Sequence, residues 1–163
     1  MFSKNKMSDA DKEVLKNLLE SPDLEIYTKS DLKRYLENDN NPLLDHYSHF
    51  LRETDRLKLL LDAGFDPNSK DPEGFTPLLL IVEKGMNRDV ALVKELIEAG
   101  ADPLASVSLR NQLGVKRPYR NALKLAEMKR LNSIVDYLRP ITEQAHLEKT
   151  LSSGQVKVKK VRI

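Results

Sequence analysis

At 163 residues the chain is long enough to bury one hydrophobic core, and its lack of cysteine excludes disulfide scaffolds, thiolate zinc sites and cysteine nucleophiles. Charge is uneven: residues 1–102 hold 14 Lys/Arg against 21 Asp/Glu, whereas residues 103–163 hold 13 against 4, so an acidic part precedes a basic one. No apolar run approaches the roughly 20 residues needed to cross a bilayer.

The N-terminus, Met1 to Lys6, lacks the apolar stretch of a signal peptide, so a cytoplasmic location is expected, with export lacking a signal peptide left open. The first seven residues read as a loose tail. Ser8-Asp9-Ala10-Asp11 is a helix start, a capping hydroxyl followed by acids, and Val14, Leu15, Leu18 and Leu19 recur at helical spacing until Ser21-Pro22. A second helix is predicted from Ser30, with Leu32, Tyr35 and Leu36 on one face, ending at Asn38–Asn41. Asn41-Pro42 pairs an N-cap with a first-turn proline, and the helix predicted after it carries Leu43, Leu44, Tyr47, Phe50 and Leu51.

Residues 54–63 form the next predicted helix, closed by Gly64. A polar loop, Asp66 to Glu73, leads through Gly74 to Thr76-Pro77 and a helix over 78–83 that ends near Gly85. Its partner spans 90–99 and ends at Gly100. Residues 102–120 show no helical period. A last helical pair covers 121–130 and 132–139, Pro140 is expected to break it, and residues 141–151 form a short helix. The end, 154–163, alternates apolar and basic residues and reads as a strand or a solvated tail.

One stretch repeats. Leu60-Leu61-Asp62-Ala63-Gly64-Phe65-Asp66-Pro67 returns 36 residues later as Leu96-Ile97-Glu98-Ala99-Gly100-Ala101-Asp102-Pro103, and Gly74-Phe75-Thr76-Pro77-Leu78 lies between the two copies. This resembles the ankyrin repeat: a Gly-x-Thr-Pro-Leu helix start, a second helix with paired leucines, then Gly-Ala-Asp. The resemblance extends to 121–126 and 134–138 as a C-terminal repeat and to Asn41-Pro42-Leu43 as the start of an earlier one. It implies an all-α fold, a solenoid of stacked helix-turn-helix units. Residues 1–40 would be a helical cap or degenerate repeat, 41–139 the repeats with an extended loop at 103–120, and 140–163 a short helix and basic tail. The chain departs from the family pattern where two small residues are usual in the first helix, which here are Ile81 and Val82, and His46 and Tyr47 one repeat earlier. The turn after Gly85 is about three residues longer than usual, and the loop between the last two repeats about nine.

Catalytic signals are weak. His46 and His49 stand one turn apart beside Asp45, but no second pair completes a metal site. No nucleophile elbow and no glycine-rich phosphate loop occur. The expectation is therefore no enzyme, no metal and no cofactor. Binding features are stronger. The loop holds Arg110, Lys116, Arg117, Tyr119 and Arg120, cations with one aromatic that suit carboxylates or phosphates. Phe75, on the projecting turn 70–75, is an anchor candidate if exposed. Lys84, with His49 and Lys129, lies on first-helix positions that the resemblance implies face a partner. The reading is a non-enzymatic protein-interaction module, an inhibitor, immunity protein or adaptor. It would be monomeric when free and would bind a protein acidic at its contact surface. The alternatives are a nucleic-acid-associated protein using the basic C-terminal third, against which the acidic first part speaks, and an injected effector.

Overall fold

The computed structural model describes residues 5–45, 53–108, 114–116 and 118–154. Seven α-helices run through them: α1 (Asp9–Glu20), α2 (Ile26–Glu37), α3 (Thr54–Asp62), α4 (Pro77–Lys84), α5 (Val90–Glu98), α6 (Ala122–Met128) and α7 (Asn132–Ser152). Two-residue strands β1 (Ser106–Val107) and β2 (Arg120–Asn121) precede α6, and short 3-10 turns cover Pro42–Leu44 and Asn87–Asp89. The mostly helical expectation holds.

The helices pack in two rows. α4 lies against α6 in one row; α3, α5 and α7 follow one another in the other; and α4–α5 and α6–α7 join the rows. α1 packs on α2. The central helix α4 is buried on every side from Pro77 to Val82, which explains its unbroken apolar sequence. Ile81 and Val82, larger than the residues usual at these positions, are taken into this core. A single helix pair cannot cover both of its own faces, so burial depends on the neighbouring pair.

Helix ends show why the repeat occurs where it does. Thr76 Oγ1 accepts from the Leu79 N–H and Asn121 Oδ1 from the Lys124 N–H, capping α4 and α6. Four helices end in one arrangement, in which an N–H bonds the carbonyl five residues back: Asn40 to Tyr35, Phe65 to Leu60, Ala101 to Leu96 and Leu131 to Ala126. The residue before each donor has positive φ: Asp39 at 52°, Gly64 at 107°, Gly100 at 95° and Arg130 at 58°.

The structure corrects several expectations. Residues 5–7 are not loose: the Asn41 N–H donates to the Asn5 carbonyl at 2.7 Å, Lys6 bridges Asn40, and Met7 is buried. α2 starts at Ile26, one turn before Ser30, because Thr28 extends the buried face of Leu32 and Tyr35. Pro140 does not break α7, which runs through it to Ser152. The donor that Pro140 lacks would have served the Asp136 carbonyl, and both residues are exposed, so water can take its place. Ile134, Val135 and Leu138 on one side and Thr142 on the other are buried and anchor the helix past it. Asn41 does cap, its Oδ1 accepting from Leu43, but only a short 3-10 turn follows before residue 46. The predicted continuation through Tyr47, Phe50 and Leu51, with His46 and His49, lies outside the described residues, as does the 155–163 tail.

Candidate protein-interaction surface

Two hairpins stand side by side at one end of the helix rows. In the first, the Asp71 carboxylate accepts from the Glu73 and Phe75 N–H groups, and the Asp71 N–H donates to the Phe75 carbonyl. Gly74, at φ 92°, completes the turn. Phe75 is only 5 % exposed. This corrects the expectation of an exposed anchor: the tight Asp71 turn places Phe75 next to the Thr76 cap, where its ring joins the core.

In the second hairpin, Ser106 pairs with Asn121 and Val107 with Arg120. Val107 stands where Asp71 does 36 residues earlier, and Asn121 caps α6 as Thr76 caps α4. The strands are thus the same hairpin stem with a longer tip. Residues 72–74 close the first, whereas residues 108–119 close the second. The sequence showed a loop about nine residues too long; the structure places the excess at the tip. A methyl group added at Gly74 would lie 4.0 Å from Val107 Cγ2, so the tip of the first hairpin lies close beside the stem of the second.

The described part of the long tip presents a mixed surface. Tyr119 is 72 % exposed, Val115 59 %, and Lys116 is also exposed. Arg120, half-buried, belongs to the stem. Arg110 and Arg117 lie outside the described residues. Lys84 is exposed in the last turn of α4. Lys129 is engaged: its Nζ donates to the Glu83 carbonyl, tying α6 to the end of α4. Lys124 and Arg139 both meet Glu127, at 3.4 and 3.2 Å, and Lys94 stands 5.3 Å over the Tyr137 ring. The surface thus holds two apolar groups, Val115 and Tyr119, near exposed cations.

Sequence reasoning missed Val115, although an apolar residue directly after Gly114 in a stretch without helical period was the available signal. It also missed Asn68, which links the loop after α3 to the end of α5. Its amide donates to the Gly100 carbonyl at 3.0 Å and accepts from the Asp102 N–H at 2.7 Å. Among the described residues no group of three or more His, Asp or Glu is placed to hold a metal ion. No helix there is long and apolar enough to cross a membrane.

The family model for the ankyrin repeat matches residues 73–107. That span starts in the first hairpin tip, takes in α4 and α5, and stops at the end of β1, where the long tip begins. That stretch of the chain is an ankyrin repeat. It is similar to an ankyrin repeat protein of fowlpox virus (strain NVSL), FPV219, with 40% identity over 74 residues. The match covers 45% of this chain and 15% of the viral protein, so the chain spans a small part of that relative's length. Ankyrin repeats generally mediate protein–protein interaction and typically carry no enzymatic activity. The matched span includes one strand of the second hairpin stem and ends where its long tip begins.

Proposed function

We propose that this protein is a non-enzymatic recognition module, a stacked helical solenoid that grips one partner protein with its hairpin tips and the exposed ends of α4 and α6. The single observation that carries this reading is the long tip. Twelve residues, 108–119, are closed by a two-residue ladder on an intact repeat stem, with Tyr119 and Val115 held in solvent beside Lys116. A loop of that length in a compact domain is a usual site of function. Its basic character favours a partner that is acidic at the contact, and a rigid stem keeps the ordering cost of binding low.

In this reading residues 1–40 act as a cap, 41–139 as the repeats and 140–163 as a C-terminal extension. The free protein is a cytoplasmic monomer, and its action is that of an inhibitor or adaptor, by occupancy of the partner's surface. Lys84, Lys116, Arg117, Tyr119 and Arg120 are the contacts expected, with Arg110 as a further cation.

The test is a graft. Residues 108–119 are replaced by the three-residue tip Pro-Glu-Gly of the first hairpin, and partners are captured from native lysate at low and high salt. The expected result is one stoichiometric protein on the wild-type chain and its loss from the graft, with the circular dichroism spectrum unchanged. Retention of that protein by the graft would refute the role of the tip. Capture of nucleic acid alone, removed by salt, would refute the protein partner.

A further inference from the structure

Two large apolar side chains stand out at the start of α2. Ile26 is 84 % exposed and Tyr27 81 %, and they are adjacent in the chain. Neither serves the fold: α2 buries Thr28, Leu32 and Tyr35, while residues 26 and 27 point away from that face. An exposed Ile-Tyr pair with no packing role is a feature that calls for recognition by something else. The residues before it are acidic, in the run Asp23-Leu24-Glu25-Ile26-Tyr27.

The local backbone suits presentation. Ser21 and Glu25, on either side of the turn between α1 and α2, have extended dihedrals. α2 begins with no side-chain hydrogen bond at its N-cap and no acid in its first turn, unlike α1, where Ser8 caps and acids follow. An uncapped first turn opens at small cost. Opening that first turn alone gives an enzyme access to residues 25–27, with Leu24 kept against the core and Thr28 still buried.

We propose that Tyr27 is a phosphorylation site for a protein tyrosine kinase with a basic substrate cleft. Asp23 and Glu25 supply the charge complementarity and Ile26 fills an apolar subsite beside the target. In the step, the tyrosine Oη attacks the γ-phosphorus of Mg-ATP and forms a new O–P bond. The bond to the β-phosphate oxygen breaks, ADP leaves, and the phenolic proton passes to the kinase's base. The product carries roughly −1.5 to −2 charges at neutral pH on an exposed ring, a group that an arginine cluster on a reader domain can take.

The other described tyrosines lack this combination. Tyr35 is buried and its hydroxyl bonds Asp45 at 3.0 Å. Tyr137 is half-buried beneath Lys94. Tyr119 is exposed, but it lies between Pro118 and Arg120 in the basic loop, the wrong charge for the same cleft.

The test uses the full chain, Mg-ATP and a recombinant tyrosine kinase that prefers acidic residues before its target, with phosphate placed by peptide mass spectrometry. The expected result is modification at Tyr27 at least tenfold faster than at any other tyrosine, and its removal in Tyr27→Phe. Reversing the flank, Asp23→Lys with Glu25→Lys, should slow Tyr27 at least tenfold while the urea midpoint stays unchanged. Should the reversal shift that midpoint, the neutral pair Asp23→Asn with Glu25→Gln replaces it, with a slowing of at least threefold expected. Equal rates at Tyr119 or Tyr47 would overturn the proposal. So would insensitivity to the flank, or no phosphate on Tyr27 while an acidic control peptide is consumed.

Discussion

The four matching helix ends make a quantitative prediction. Gly100 sits at φ 95° and a methyl group added there would meet no atom within 4 Å. Gly100→Ala therefore creates no clash, and its cost is that of the backbone alone. An L-residue with left-handed dihedrals pays about 1–2 kcal/mol. Alanine recovers about 0.4–1 kcal/mol of that by restricting the unfolded chain. The net expectation is a loss of about 1 kcal/mol, and the same for Gly64→Ala, where the surroundings are equally open and φ is 107°. Arg130 occupies the equivalent place at φ 58°, within the left-handed well that non-glycine residues can enter. Arg130→Gly relieves the strain and restores the unfolded-state entropy, so it should be close to neutral or stabilise by up to about 0.5 kcal/mol. Urea unfolding with a shared m-value measures all three. A Gly100→Ala variant as stable as the wild type, or an Arg130→Gly variant weakened by more than about 1 kcal/mol, would refute the claim that one cap geometry governs these ends.

Three further outcomes follow from inter-element contacts. Asn68→Ala removes both bonds between the loop after α3 and the end of α5 and should cost about 1–2 kcal/mol, with faster amide exchange at Asp102. Asn87→Ala should cost about 0.5–1 kcal/mol, read by thermal melting. Asn87 Oδ1 accepts from the Ser133 N–H at 3.3 Å, at the start of α7, a helix that has no side-chain cap of its own. The Lys12–Asp39 pair, 3.0 Å apart, should leave a small pH signature at low salt. Lys12 lowers the Asp39 carboxyl below its ordinary 3.8, so that part of the stability is present above pH 3.8 and fades as pH falls through the lower folded value. Asp39 in turn raises Lys12 above 10.5, a contribution present below pH 10.5 and lost as pH rises through the higher folded value. Lys12→Met should flatten both edges of a stability–pH curve.

Local signals read well wherever one residue type serves one geometry. Thr76, Asn121, Gly64 and Gly100 stand where their dihedrals and caps require them, and the 36-residue repeat follows from those requirements. Positions decided by distant contacts were not legible. Pro140 signals a helix end, yet buried residues on both sides of it carry α7 through. Residues 5–7 look like a tail because their partners, Asn40, Asn41 and Leu44, lie some 35–40 residues away. Arg130 and Asp39 disguise two caps of the same kind as the glycine ones, since neither is a residue that marks a left-handed turn as glycine does. Phe75 shows the limit for the candidate site. Its place on a projecting turn was readable, but the side on which its ring falls depends on the Asp71 carboxylate closing the turn tightly.

The two lengthened segments have different consequences. The three extra residues after Gly85 form the 3-10 turn at Asn87–Asp89, and Asn87 from that turn reaches the first turn of α7. That insertion has become part of the packing, so shortening it would remove a bond between neighbouring units. The longer insertion lies beyond a stem whose base pairs, Ser106–Asn121 and Val107–Arg120, are already closed. Once the stem is formed, lengthening the tip adds only a logarithmic closure cost, about 0.6 kcal/mol for each doubling. The length of segment 108–119 therefore adds little to the cost of closing the stem.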